Sequence, residues 1–218
     1  MDGVWSWRLE KTHLAEQACE LLLHVSALKF GSFKLTSGKL SPFYIDLRVV
    51  PSYPEVFEKI TDIYVRLIRN EVEAFDRIAG VPTAGLPIAT LVSYKLKVPL
   101  IYVRKSTKGY GTQRAVEGIL NNGDRVLLVD DLATTGLSLL GAAQAIRSQG
   151  GKVEHAVVLI DREQGCVNTL SDNGISLHFL ISASQLFETL HRKGLIAHPD
   201  YQRSIDYLRS ERLGNHNA

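Results

Sequence analysis

The chain is predicted to fold as an α/β protein, with a central, mostly parallel sheet flanked by helices. Three observations carry this expectation. Between residues 76 and 180, short apolar runs alternate with stretches of helical spacing, the pattern of repeated strand–helix–strand units. One run, Arg125-Val126-Leu127-Leu128-Val129, has four consecutive apolar residues, as a strand buried on both faces requires. That run stops at Asp130 and Asp131, then passes through a small, hydroxyl-rich loop into another helical pattern. A loop between the C-terminal end of a strand and a helix is where open α/β sheets bind ligands.

The elements follow in order. Leu14, Ala15, Ala18, Leu21, Leu22, Val25 and Leu28 recur at helical spacing and predict an amphipathic N-terminal helix. From Phe30 to Arg48, Gly31, Gly38 and Pro42 punctuate two short alternating runs, a hairpin-like arrangement. After Pro54, a second stripe of Val56, Phe57, Ile60, Ile63, Tyr64, Leu67 and Ile68 predicts a helix. Strands are then expected at Arg77–Ala79, Leu100–Val103, Arg125–Val129 and Val153–Ile160, with an edge strand near Ile175–Leu180. Helices are expected at Gly85–Lys97 and Leu137–Ser148. Ser182 and Gln185 have the spacing of a capping box for a following helix, and a last helix is expected over Asp200–Arg209. The domain reading is residues 1–50 for the helix and hood, 51–213 for the core and 214–218 for a disordered polar tail.

Composition narrows the function. Apolar residues make up 45% and charged residues 22% of 218, which allows a sizeable core. The net charge of +2 is too small to argue for general attraction to nucleic acid or a membrane, so any anion site must be local. Met1–Lys11 lacks the apolar core of a signal peptide, and no run approaches the roughly 18 apolar residues of a membrane span. A reducing cytoplasm is therefore expected. The two cysteines have no metal or redox spacing; Cys19 falls on an apolar helical face, and Cys166 is expected in a partly exposed loop.

Two segments carry chemistry. In the loop after Val129, unpaired backbone N–H groups with Thr134, Thr135 and Ser138 suit a phosphate monoester. Two carboxylates beside a phosphate cradle make sense if they face ribose hydroxyls or Mg²⁺. A capped helix start is the simpler reading of Thr134-Thr135-Gly136 taken alone. The second segment, Arg104–Arg114, places four cations in eleven residues with two glycines. Such a loop suits a lid that neutralises a departing anion and excludes water; alone, it reads equally as a solvated surface loop.

Asp130–Ser138 resembles the phosphoribosyl diphosphate (PRPP) motif of the type I phosphoribosyltransferases, and Arg104-Lys105-x-x-Lys108-x-Tyr110-Gly111 resembles the catalytic loop of the orotate phosphoribosyltransferases. Phe33–Asp46 is similar to that family's base-binding hood, Gly80–Pro87 to its pyrophosphate loop, and Leu159–Gly165 to the segment whose arginine contacts orotate. The resemblance implies the type I phosphoribosyltransferase fold and a pentosyltransferase that moves ribose 5-phosphate from PRPP to orotate. The cofactor would be Mg²⁺, held mainly by substrate and water near Asp130 and Asp131. It implies Lys108, Asp130 and Asp131 as catalytic. PRPP would meet Arg104, Lys105, Lys108 and Tyr110, together with Asp130, Asp131, Leu132, Ala133, Thr134, Thr135, Gly136, Leu137 and Ser138. Orotate would meet Lys39, Phe43, Tyr44, Thr134 and Arg162. Arg162 could instead pair with Asp161 or Glu163 at the surface, and Tyr44 could simply pack. A homodimer sharing the cationic loop is implied, with no nucleic acid or membrane partner. The chain departs from relatives at Thr36, where many carry a lysine that Lys39 could replace, and at Ala84 and Tyr110. A purine or uracil transferase and a PRPP-sensing regulator are the alternatives. At this length, no fused decarboxylase barrel is expected in the chain.

Overall fold

A computed structural model describes residues 2–34, 38–104 and 115–215. Its frame is a sheet of β3 (Arg77–Gly80), β4 (Leu100–Val103), β5 (Val116–Glu117), β6 (Arg125–Val129), β7 (Leu132–Ala133), β8 (Lys152–Asp161) and β9 (Ser176–Ser182). All pairings are parallel except that of β5 with β4. Both β6 and β9 pair with His155–Val157 of β8, so they lie on opposite edges of it. By the same logic, β7 and β9 flank Ile160 and Asp161 from opposite edges. The segment β6–Asp130–Asp131–β7 therefore runs along one side of β8. Asp130 N–H donates to Val157 O (3.1 Å) and Leu159 N–H to Asp131 O (3.0 Å).

The residues of β6 show why the sheet is buried on both faces. Leu127 and Val129 join a core with helices α1 (Asp2–His24), α2 (Pro54–Glu71) and α6 (Ala183–Arg192). Val126 and Leu128 point the other way, toward Leu139, Ala143 and Ile146 of α4 (Leu137–Arg147) and Leu170 of α5 (Cys166–Ser171). Period-two alternation thus fills two cores at once. Helix α3 (Gly85–Leu96) packs Ile88, Ala89 and Val92 into the first core.

The hood is the antiparallel pair β1 (Leu28–Lys34) and β2 (Leu40–Ile45), with a register irregularity between Phe30 and Phe33. Phe43 and Ile45 anchor it in the first core. A 3-10 turn, Leu47–Ser52, leads into α2, and α7 (His198–Asn215) closes the chain.

Several expectations needed correction. Helix α1 spans Asp2–His24, so Val25 and Leu28 of the expected stripe fall in the following turn and in β1; near its start the Trp7 indole N–H donates to Glu71 Oε1 (3.0 Å). Cys166 is not a partly exposed loop residue but the buried first residue of α5, and burial pushes its thiol pKa up to about 12. Helix α7 runs through Asn215, two residues into the stretch read as a tail. The capping box is present as expected: Ser182 Oγ accepts from Gln185 N–H (3.3 Å), and Gln185 Oε1 accepts from Ser182 N–H (3.1 Å).

Candidate active site

At the C-terminal ends of β3 and β6 lies a cavity of about 220 Å³, lined by Pro82, Thr83, Ala84, Asp130, Asp131, Leu132, Ala133, Thr134, Gly136, Ser138 and Leu139. Two sequence-predicted segments, the loop after β3 and the loop after β6, therefore meet across one space. Gly136 sits at φ +84°, a conformation that favours glycine, and precedes α4. The first helical bond is Leu140 N–H to Gly136 O (2.8 Å). The earlier N–H groups of that turn lack helical partners and can receive an anion. Thr134 and Ser138 line the cavity; Thr135 and Leu137 are exposed beside it.

The two aspartates are fixed by local bonds. Asp130 Oδ1 accepts from Asp131 N–H (2.9 Å), and Asp131 Oδ1 accepts from Leu132 N–H (2.8 Å). Burial raises both carboxyl pKa values, and the neighbouring Asp131 charge pushes Asp130 further. For Asp131, the Leu132 bond and the positive charge of Arg48 act in the opposite direction. Buried like charges at a cavity mark a site that a positive or hydroxyl-bearing ligand completes.

Two residues that sequence reasoning passed over hold this pair. Tyr64, on α2 and fully buried, donates its hydroxyl proton to Asp130 O (2.8 Å) and lies 3.3 Å from Asp131 O. The available signal was one hydroxyl in an otherwise hydrocarbon stripe, since a buried tyrosine hydroxyl needs a partner. Gly85 packs directly on the strand end: a Cβ there would stand 2.6 Å from Val129 O and 2.8 Å from Asp130 Oδ1.

Arg162 follows β8, and its N–H donates to Ala133 O (2.9 Å), one rung from the hydroxyl-rich loop. Its guanidinium lies 5.6 Å from the Phe43 ring centroid, and its buried Nε has no hydrogen-bond partner. Burial lowers its pKa. The surface pairing with Asp161 or Glu163 is thus not what the fold adopts for Nε.

The other expected base contacts are spread out. Phe43 is 1% exposed and meets Phe187 (4.6 Å) and the Arg162 guanidinium rather than open space. Tyr44, one residue on, faces the opposite side of β2, and its hydroxyl accepts from Arg48 Nη2 (2.7 Å). Lys39 is exposed and paired with Glu211 (2.9 Å). Arg104 pairs with Glu117 of β5 (3.0 Å), away from the cavity lining. Lys105, Lys108, Tyr110 and Thr36 lie outside the described residues.

A parallel sheet, a hydroxyl-rich phosphate loop after paired aspartates, and a facing loop after β3 define a phosphoribosyltransferase. Accordingly, residues 52–172 match the family model described as the phosphoribosyl transferase domain. An orotate phosphoribosyltransferase of Sulfolobus acidocaldarius is 40% identical over 86% of this chain and 93% of its own length; that of Cenarchaeum symbiosum is 44% identical over 84% and 93%. Among solved structures, the Aeropyrum pernix orotate phosphoribosyltransferase has a TM-score of 0.69 at 32% identity, covering 81% of this chain and 99% of that one. The Leishmania donovani UMP synthase gives a TM-score of 0.81 at 34% identity, over 90% of this chain and 42% of that one. The chain belongs to the orotate phosphoribosyltransferase family.

Proposed function

We propose that this protein transfers ribose 5-phosphate from PRPP to N1 of orotate, releasing pyrophosphate and forming orotidine 5′-monophosphate. The observation that carries this reading is the Arg162–Ala133 rung. It sets a buried guanidinium with an unpartnered Nε beside the loop suited to a sugar phosphate. A planar fork of this kind matches a carboxylate in two-point contact, and orotate carries one.

In this reading the α4 N-terminus with Thr134, Thr135 and Ser138 grips the 5′-phosphate, while Asp130 and Asp131 hold the ribose hydroxyls and stabilise positive charge at the anomeric carbon. The base is held in line with that carbon by Arg162, so no covalent enzyme intermediate is required. Two carboxylates are hard oxygen donors that fit Mg²⁺, but two are too few to cage it, so substrate oxygens and water complete its shell. When bound, the ion neutralises the pyrophosphate. Lys108, supported by Arg104, Lys105 and Tyr110, closes over the leaving group from the neighbouring subunit of a homodimer. The enzyme works in the cytoplasm. No described helix is long and apolar enough to cross a membrane.

The test is a steady-state assay with PRPP, Mg²⁺ and a panel of bases. Saturable turnover with orotate, but not with uracil, hypoxanthine or adenine, is the expected outcome. Turnover preferring any other base overturns the assignment.

A further inference from the structure

Arg162 can orient a planar substrate only if its own backbone is held in one direction, and the next residue decides that direction. Glu163 has φ +59°, in the left-handed region that side-chain-bearing residues rarely adopt. What holds it there is a set of bonds from three elements. Its N–H donates to the buried Asp161 Oδ1 (3.0 Å). Its carboxylate accepts from Ser184 N–H (2.9 Å) and Ser184 Oγ (3.0 Å), in the first turn of α6, where negative charge is favoured. Arg212 of α7 completes the set, with its guanidinium on Glu163 Oε1 and 3.3 Å from Ser184 Oγ.

Helix α7 also touches the surroundings of Arg162 and the hood. Tyr207 stands edge-on to Phe43 (5.7 Å), the ring beneath Arg162, and Glu211 holds Lys39 of the hood. We propose that Glu163 and Arg212 are positioning residues for the base: together they clamp the turn that aims the Arg162 guanidinium, which makes α7 a working part of the specificity site. This rests on the reading above that Arg162 holds the base.

Misaiming a charged hydrogen-bonding group should cost about tenfold or more in binding. Arg212→Gln and Glu163→Gln should each raise KM for orotate by about that factor. The KM for PRPP and kcat at saturating orotate should stay within about twofold. Arg212→Lys, which keeps the charge, should recover part of the loss.

A double-mutant cycle separates aiming from mere stability. In an Arg162→Ala background, Arg212→Gln should no longer change KM for orotate, while any effect on Tm persists. If Arg162→Ala raises KM for orotate but the Glu163 and Arg212 variants do not, the clamp is wrong and the base reading stands. Equal rises in both KM values, or effects that add fully in the cycle, also overturn the clamp. If Arg162→Ala itself leaves orotate binding unchanged, the base reading fails and the clamp with it.

Discussion

Replacing Gly85 by alanine tests the packing that sets the paired aspartates. The added methyl carbon would stand 2.6 Å from Val129 O, 2.8 Å from Asp130 Oδ1 and 2.9 Å from Asp130 Cα, against an ordinary contact of at least 3.4 Å. Two of the three atoms are backbone of the strand end, so no flexible side chain can swing away. Relief therefore requires a relative shift of about 0.5–0.8 Å between α3 and Asp130 (3.4 minus 2.9 and 2.6). Overpacking of this kind costs roughly 1–3 kcal/mol of stability. A misplacement approaching 1 Å can cost about 10²-fold in rate, so kcat/KM for PRPP should fall about 10- to 100-fold, or about 1.4–2.7 kcal/mol in the barrier. The control is Gly141→Ala in α4, where nothing lies within 4 Å of the added carbon. That variant should gain about 0.5–1 kcal/mol of stability and keep its activity. Steady-state kinetics and thermal melts of the two variants decide the matter. Wild-type kcat/KM in Gly85→Ala would refute the claim that this close approach positions Asp130.

Four further outcomes are expected. Tyr64→Phe strands the carbonyls of Asp130 and Asp131 that its hydroxyl serves; a chemical melt should show a loss of about 1–3 kcal/mol, and an unchanged midpoint would remove Tyr64 from the site's support. Asp131→Asn bears on pH: the folded-state pKa is raised above the ordinary 3.8, so the wild-type stabilisation is complete below that value and is lost as pH rises through the folded pKa. Without ligand, the Tm advantage of the variant should therefore grow as pH rises above about 4, while its turnover drops; a constant offset contradicts the burial argument. Lys108→Ala should lower kcat by roughly 10²-fold, and mixing it with Asp131→Asn should restore activity if the loop crosses between subunits; no recovery in refolded mixtures argues against sharing. Arg162→Met should leave Tm unchanged or raised, since a desolvated cation is traded for apolar volume, while KM for orotate rises. A clear drop in Tm would mean that the guanidinium serves the fold rather than the substrate.

What could be read from the sequence followed the range of the interactions. The strand Arg125–Val129, the helix after Pro54 and the Ser182–Gln185 cap are specified by residues within a turn or two of each other, so periodicity exposes them. The strands Leu132–Ala133 and Val116–Glu117 have two residues each and carry no period; only their partners β8 and β4 make them strands. Helix α5 went unread because its six residues bury only Cys166 and Leu170, too few for a stripe. The site divides in the same way. Asp130 to Ser138 is one continuous segment that sequence alone singles out, whereas Tyr64 reaches Asp130 across 66 residues of sequence and Arg212 reaches Glu163 across 49. Lys39 shows what local reading leaves out. Its position in the chain suggested the base, but the fold gives its charge a partner in Glu211, on a helix that local reading could not place beside the hood.

The electrostatics of the site explain why its two halves stay unsatisfied. Asp130 and Asp131 carry like charges that burial penalises, and Arg162 carries an opposite charge with a buried Nε that nothing accepts from. Direct pairing would relieve both, yet the main-chain rung from Arg162 to Ala133 ties the two segments together through backbone while Phe43 takes the guanidinium face. Held apart, the aspartates call for hydroxyls and a cation, and the arginine for an anion. Under the proposed function, a sugar diphosphate with a metal ion would meet the first need and the carboxylate of a pyrimidine the second.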